Sequence, residues 1–353
     1  MTKKYASFLK TNQGWLITLF IFIVMPFLIG ILEGNSPLQV WSNEGGQSKF
    51  IQGLLIEIFI LAMYALSYDL IFGFTGLLSF GHAMFFAVGS YLTGILIKSF
   101  HLPLWETFLW VMVAGVIQAL LFAMVLPRVK GITFALVTLG LASVFNILVL
   151  STEMGKYTGS DVGLQGVAVP DFINPATERL RLYFITLFIL VLVFMIYKRF
   201  VNSPTGRVCT AIRENEGRAL MLGYNTFYFK LAALLLSSLT AALAGMLNTI
   251  YQPIVSPNIA SLGYTVNALL IILIGGVGTL NGALIGAIVF RLLDYGLRRY
   301  IGESASFING AIYVLIVLFL PFGIVGTWKL KSNNLRSGWQ HLVDRFKKAT
   351  VEK

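Results

Sequence analysis

Charge is what this chain has least of. Asp, Glu, Lys and Arg make up 12% of its 353 residues, about half the share of a soluble domain, and this excludes an ordinary water-soluble fold. Cysteine is nearly missing. Cys209 stands alone, so an internal disulfide and a cysteine-based metal site are both excluded. The three histidines, His82, His101 and His341, lie far apart with no H-E-x-x-H spacing, which leaves an intramembrane zinc protease without ligands; no metal site is expected. No G-x-x-x-x-G-K-[ST] occurs, so the chain has no P-loop to cradle a nucleotide's phosphates. No nucleophile stands with a base in a pattern that would make this chain an enzyme.

Long apolar runs fill the space that charge leaves. Hydrophobic residues are 57% of the chain, and the stretch from Leu231 to Phe290 contains no Asp, Glu, Lys or Arg. A bilayer core about 30 Å thick needs roughly 20 apolar residues per helix. The pattern predicts an all-α integral membrane protein, one transmembrane permease domain over 1–353. It predicts about ten segments, centred on 15–32, 51–72, 74–97, 105–126, 131–150, 182–199, 229–250, 263–279, 281–297 and 307–327. With the N-terminus inside, 18 Lys and Arg fall inside, 7 outside, and Arg291 within a span, which puts both termini in the cytoplasm. Arg298 and Arg299 oppose that bias, as they would if the ninth segment were re-entrant. The first segment reads as a retained helix rather than a cleaved signal peptide, because it contains Pro26 and lacks a small-x-small site after it. The net charge of +11 is read as cytoplasmic excess facing anionic membrane lipid, with no nucleic acid partner.

Glycine is placed where a helix would not choose it. GFTGLLSFGHAMFFAVGSYLTG, residues 73–94, carries five, and GGVGTLNG, residues 275–282, repeats the theme in the second half. Paired interrupted spans point to a transport path and an inverted repeat. They permit a broken or closely packed helix whose freed backbone groups still find partners. Gly278, Gly282 and Gly286 recur every four residues and predict one small helix face for close packing, as do Ala232, Ala233, Ser237, Ser238, Ala241, Ala242, Ala244 and Gly245 on the seventh segment. Ionisable groups inside a membrane must face protein or water. Here these are Glu57, Asp69, His82, Arg291 and Asp294. Arg291 and Asp294, three apart, suit a structural pair; Asp69 suits a cap for the turn before Gly73; His82 suits a ring satisfied by freed carbonyls. Glu57, Thr75, Ser79, His82 and Phe85 are the candidates for lining the path.

The loop 201–230 reads as a short cytoplasmic helix between two spans. Ser203 with Pro204 suits an N-cap and first helical position, and Gly223 a C-terminal stop. Glu214 and Arg218 have the i, i+4 spacing with the acid first, and Val208, Ala211, Ile212, Ala219 and Leu222 supply an apolar side. Such a rod suits a groove in a cytoplasmic partner, and it equally suits a solvated interface. In the basic tail 329–353, Trp339, Leu342, Val343 and Phe346 mark an amphipathic helix, expected on the anionic inner leaflet or against a cytoplasmic partner.

The segments GLLSFGHAMFFAVGSYLTG, KGITFALVTLGLASVFNILV, YTGSDVGLQGV, GRVCTAIRENEGRALMLGYNTFYFKLAALLLSSLTAALAGML and LIGGVGTLNGALIGAIV resemble, in order, the blocks of LivM-type permeases, the branched-chain amino-acid ABC importer family. The resemblance implies a permease subunit of a bacterial or archaeal inner membrane, without a cofactor of its own. It implies a second homologous permease, two cytoplasmic ABC ATPase subunits that hold ATP and Mg, and an extracytoplasmic solute-binding protein. Residues 206–223 would be the coupling helix, with Arg207, Arg213, Glu214, Asn215, Glu216, Arg218 and Gly223 as its ATPase-coupling residues. Thr158, Gly159, Ser160 and Asp161, in the loop after the fifth segment, would dock the binding protein. The substrate class expected is branched-chain or related amino acids. Urea or short amides on the same architecture, and an ion-coupled secondary transporter using Glu57 or Asp69, are the alternatives. Residues 32–50 and the tail after Trp328 match no block.

Overall fold

A computed structural model describes residues 18–34, 36–41 and 46–328. The basic N-terminus with Lys3, Lys4 and Lys10, and the amphipathic tail 329–353, lie outside the described residues. The helices are α1 (Thr18–Leu32), α2 (Pro37–Trp41), α3 (Gln47–Asp69), α4 (Ala83–Ser99), α5 (Leu104–Ala123), α6 (Ile132–Leu150), α7 (Gly155–Thr158), α8 (Arg179–Asn202), α9 (Pro204–Met221), α10 (Thr226–Tyr251), α11 (Leu262–Gly275), α12 (Leu280–Ile301) and α13 (Ala305–Phe319). Two strands of two residues, β1 (Leu164–Gln165) and β2 (Ile254–Val255), pair antiparallel.

Each of the ten expected segments is an apolar helix, but seven of those described are long and apolar enough to cross a bilayer: Ser48–Phe74, Leu104–Ala123, Ile132–Leu150, Arg179–Asn202, Thr226–Tyr251, Leu280–Ile301 and Phe307–Trp328. Thr18–Leu32, Ala83–Ser99 and Leu262–Gly275 are shorter. At 14 residues, α11 rises about 21 Å, less than the hydrocarbon thickness. Of the eighth and ninth segments, the short one is therefore the eighth. α12 has 22 residues, and Arg298 is accounted for locally, since its Nε donates to Asp294 Oδ1 at 2.8 Å.

The span around α3 is 83% buried and that around α13 only 22%, so α3 is central and α13 peripheral. α10 lies against α3, α4 and α5, and its run of Ala, Ser and Gly is what permits this. Gly245 sits on the backbone of Phe86 and Gly89 on that of Ala242. Hydroxyls complete the seams: Ser90 Oγ and Thr249 Oγ1 lie 2.6 Å apart, Ser238 Oγ donates to Gly115 O at 2.8 Å, and Ser237 Oγ to Ser67 O at 2.7 Å. Without a hydrophobic force between helices in lipid, such close backbone contact and interhelical hydrogen bonds do the holding.

Both glycine-rich stretches break their helices. α3 passes into a π turn, Leu70–Phe74, and helix resumes only at Ala83. The Thr75 hydroxyl donates to Leu70 O at 2.9 Å, and Gly76 takes φ +76°, a left-handed conformation that other residues avoid. α11 and α12 are separated by Gly276–Thr279. Gly278 lies in this turn with φ +72°, so it does not share a helix face with Gly282 and Gly286; those two alone line α12, where they meet the backbone of Gly275–Gly276 and of Ile271.

Candidate functional site

The two breaks meet at the end of the bundle that carries α9. Asp69 Oδ1 accepts the Gly278 N–H at 2.7 Å across 209 residues, and the Gly73 backbone packs on Gly278, where a Cβ would come within 2.6 Å of the Gly278 nitrogen. Asp69 thus caps the second break rather than the turn before Gly73. The nearby α9 sends Arg213 to the same place, its Nη1 donating to Gly73 O. Below it a small cavity of about 70 Å³ is lined by Thr75, Gly76, Lys130, Arg213, Glu216 and Lys230, among others.

α9 begins and ends as its sequence directs. Ser203 Oγ accepts the Gly206 N–H at 3.2 Å with Pro204 in the first turn, and Gly223 stops the helix at φ +87°. Its middle departs from expectation. Asn215 is extended, at φ −160° and ψ 100°, and its Oδ1 accepts the Arg218 N–H at 2.9 Å, recapping the chain as Asn does at a helix start. The i, i+4 geometry of Glu214 and Arg218 is lost at this turn, and among the described residues no ion pair joins them.

The seven residues of the coupling set therefore divide. Arg207, Glu214, Asn215, Arg218 and Gly223 are exposed. Glu216 turns inward, accepting from Lys230 Nζ at 2.5 Å and Thr226 Oγ1 at 2.9 Å; Lys230 is buried in α10. Burial alone would raise the Glu216 carboxyl, but the Lys230 ammonium and the Thr226 hydroxyl hold it below its ordinary value. Arg213 is exposed as a residue, but its tip is committed to Gly73. Cys209 is buried against Phe229 O, and burial raises its thiol to about 11, so it stays protonated and unreactive.

The path candidates do not meet in the small cavity below Arg213 or in the larger groove of the bundle. Thr75 borders the small cavity below Arg213; Glu57, Ser79, His82 and Phe85 line neither it nor the apolar groove of about 640 Å³ between α1, α3, α8 and α12. Ser79, His82 and Phe85 are buried. His82 lies among the rings of Tyr64, Tyr68 and Phe85, and its partner is a hydroxyl rather than a freed carbonyl. Ser67 Oγ donates to Tyr64 O at 2.6 Å and lies 2.8 Å from His82 Nε2. His82 Nδ1, also buried, has no hydrogen-bond partner among the described residues.

Glu57 is ion-paired with Arg291, which also binds Asp294 at 2.9 Å. Asp294 takes Asn309 Nδ2 at 3.2 Å as well, so α3, α12 and α13 are joined by one network. The expected Arg291–Asp294 pair is present, with Glu57 added across the helices. Arg291→Ala leaves Glu57 facing no cation. It is expected to cost about 2 kcal/mol after allowance for partial exposure, read as a lower melting midpoint in detergent, and Glu57→Gln in the same chain is expected to recover part of it. A midpoint unchanged by Arg291→Ala would show that the network carries no stability.

At the opposite end, Thr158 is buried with its hydroxyl on Val149 O at 2.8 Å, Gly159 turns at φ +78°, and Ser160 Oγ reaches Ser151 O at 3.2 Å. Of the four docking candidates Asp161 is exposed. β1, in the same loop, is tied to β2.

Ten apolar helices, seven of them long enough to cross a bilayer, define a multi-pass membrane protein with two meeting helix breaks over a polar helix. The chain belongs to the family described as branched-chain amino acid transport system, permease component, whose model matches residues 50–321. It is 26% identical over 293 residues to the high-affinity branched-chain amino acid transport system permease protein LivM of Salmonella typhimurium, covering 75% of this chain and 68% of that one. To LivH of the same organism it is 24% identical over 282 residues, 75% of this chain and 91% of that one. The probable branched-chain amino acid transport permease protein LivM of Methanocaldococcus jannaschii is 28% identical over 180 residues, 46% and 52% of the two chains. No solved structure matches the chain. It is a LivM-type permease subunit.

Proposed function

We propose that this chain is one of two permease halves of a binding-protein-dependent ABC importer of a bacterial or archaeal inner membrane. It carries branched-chain or related amino acids, with the α9 end and both termini in the cytoplasm. Of the importer's two ATPase subunits, which hold ATP and Mg, one docks on the exposed residues of α9, and a solute-binding protein docks at the end where Asp161 is exposed. This chain holds no ATPase site and gates the path while its partners hydrolyse ATP.

The observation that carries the reading is α9 itself. It is a polar helix capped by Ser203, stopped by Gly223 and clamped to α10 by Glu216 and Lys230, so that Arg207, Glu214 and Arg218 are presented on a rigid base. In an ion-coupled transporter using Glu57 or Asp69 the acid would first have to leave its partner, since Glu57 is paired with Arg291 and Asp69 is bound to a backbone amide. Co-purification with two ATPases and vanadate-sensitive uptake test the importer; proton-driven uptake by this chain alone would overturn it. Glu214→Lys is expected to cut uptake by at least about tenfold, the usual scale for reversing a charge at an interface, with the melting midpoint unchanged. Normal uptake in that variant would remove Glu214 from the docking face.

A further inference from the structure

We infer that Arg213 is the residue through which movement of α9 reaches the two helix breaks in the membrane core. The inference rests on the importer reading above. Apart from α8 and α10, its neighbours in the chain, α9 packs against the π turn at Leu70–Phe74. Arg213 makes that approach. Its guanidinium binds Gly73 O. Its Cα, Cβ and Cγ lie 3.1 to 3.2 Å from where a Gly76 Cβ would be, and its Nη1 lies 2.8 Å from where a Gly278 Cβ would be.

Three glycines from two distant parts of the chain thus form a seat for one arginine. Gly76 and Gly278 also hold positive φ, so their lack of a side chain serves both the turn and the seat. Asp69, on the other side of Gly73, holds Gly278 through its N–H, so the first break cannot be pulled without the second. α9 is therefore fixed twice, on either side of the Asn215 turn. Glu216 clamps it to α10, and Arg213 joins it to α3 and to the turn before α12. A guanidinium suits this role because its planar fork is pre-organised and stays charged.

Hydrogen exchange of the purified complex, with and without ATP and vanadate, tests the role directly. In wild type, nucleotide is expected to change exchange in α9 and at residues 70–82 and 276–279 together. In Arg213→Ala the change in α9 is expected to remain, while that at 276–279 falls about tenfold, the scale of one lost charge-assisted hydrogen bond. Arg213→Gln, which keeps a donor and most of the stem, is the second variant and is expected to show a smaller loss of the same kind. A merely structural arginine would raise exchange without nucleotide and leave the nucleotide-dependent difference intact. A full response at 276–279 in both variants overturns the role of Arg213 and leaves the importer reading standing, whereas a wild-type chain whose α9 does not respond to nucleotide overturns both.

Discussion

Gly245→Leu is expected to remove nearly all folded protein from the membrane. A Cβ at Gly245 would lie 2.9 Å from Ser90 N and 3.0 Å from Phe86 C, and these are backbone atoms in the middle of α4 that cannot rotate aside. Overpacking a fitted interior costs about 1–3 kcal/mol where side chains can yield; here α4 and α10 must part, and the Ser90 to Thr249 contact opens with them. Since a whole domain is stable by only about 5–15 kcal/mol, the detergent-soluble, monodisperse fraction should fall to about a tenth or less of wild type. Gly140→Leu is the control, because a Cβ there meets nothing within 4 Å. Equal yields for the two variants would mean that the α4–α10 seam is not where the bundle is held.

Reversal of the clamp charges is expected to have the next largest effect. Glu216→Lys sets a second ammonium against Lys230, whose side chain is only 8% exposed. Removing the partner of a buried charge typically costs about 3–5 kcal/mol. Glu216 is itself 23% exposed, so the lower end of that range applies. Uptake should fall by more than about tenfold, and the paired change Glu216→Lys with Lys230→Glu should recover much of it; failure of the swap alongside failure of the single would assign Glu216 to partner contact instead. This differs from Glu214, where reversal acts without loss of stability. The clamp also has a pH signature. The Glu216 carboxyl is held below its ordinary value in the folded protein, so its contribution is complete above that ordinary value and is lost as pH falls through the lower, folded-state one. Acid melting should therefore separate wild type from Glu216→Gln above that window and bring them together below it.

Much of the architecture was readable because lipid demands it. Apolar length gives all ten helices; Ser203 and Gly223 give both ends of α9; the small residues of α10 give its close neighbours; and the spacing of Arg291 and Asp294 gives their pair. What was missed depends on partners distant in sequence. Nothing local to Asp69 says that it reaches Gly278, and the i, i+3 pattern around Arg291 is silent about Glu57 on α3. The every-fourth-residue glycine pattern misled at Gly278, since a period implies a shared face only if the helix runs through all three positions, and α12 begins at Leu280. Asn215 misled in the same way. Its side chain competes with the helix it sits in, a signal present in the sequence but outweighed by the charge spacing around it.

The two-residue ladder between β1 and β2 has a mechanical meaning of its own. It fastens the loop after α6 to the chain that runs from α10 into α11, and Tyr91 and Gly94 of α4 lie against Val255 within it. From there Thr265, in the first turn of α11, accepts the Ala83 N–H at 2.9 Å, one residue past His82. An unbroken series of contacts therefore joins the loop after α6, by way of Val255, α4 and the Thr265 hydroxyl, to the first residue of α4.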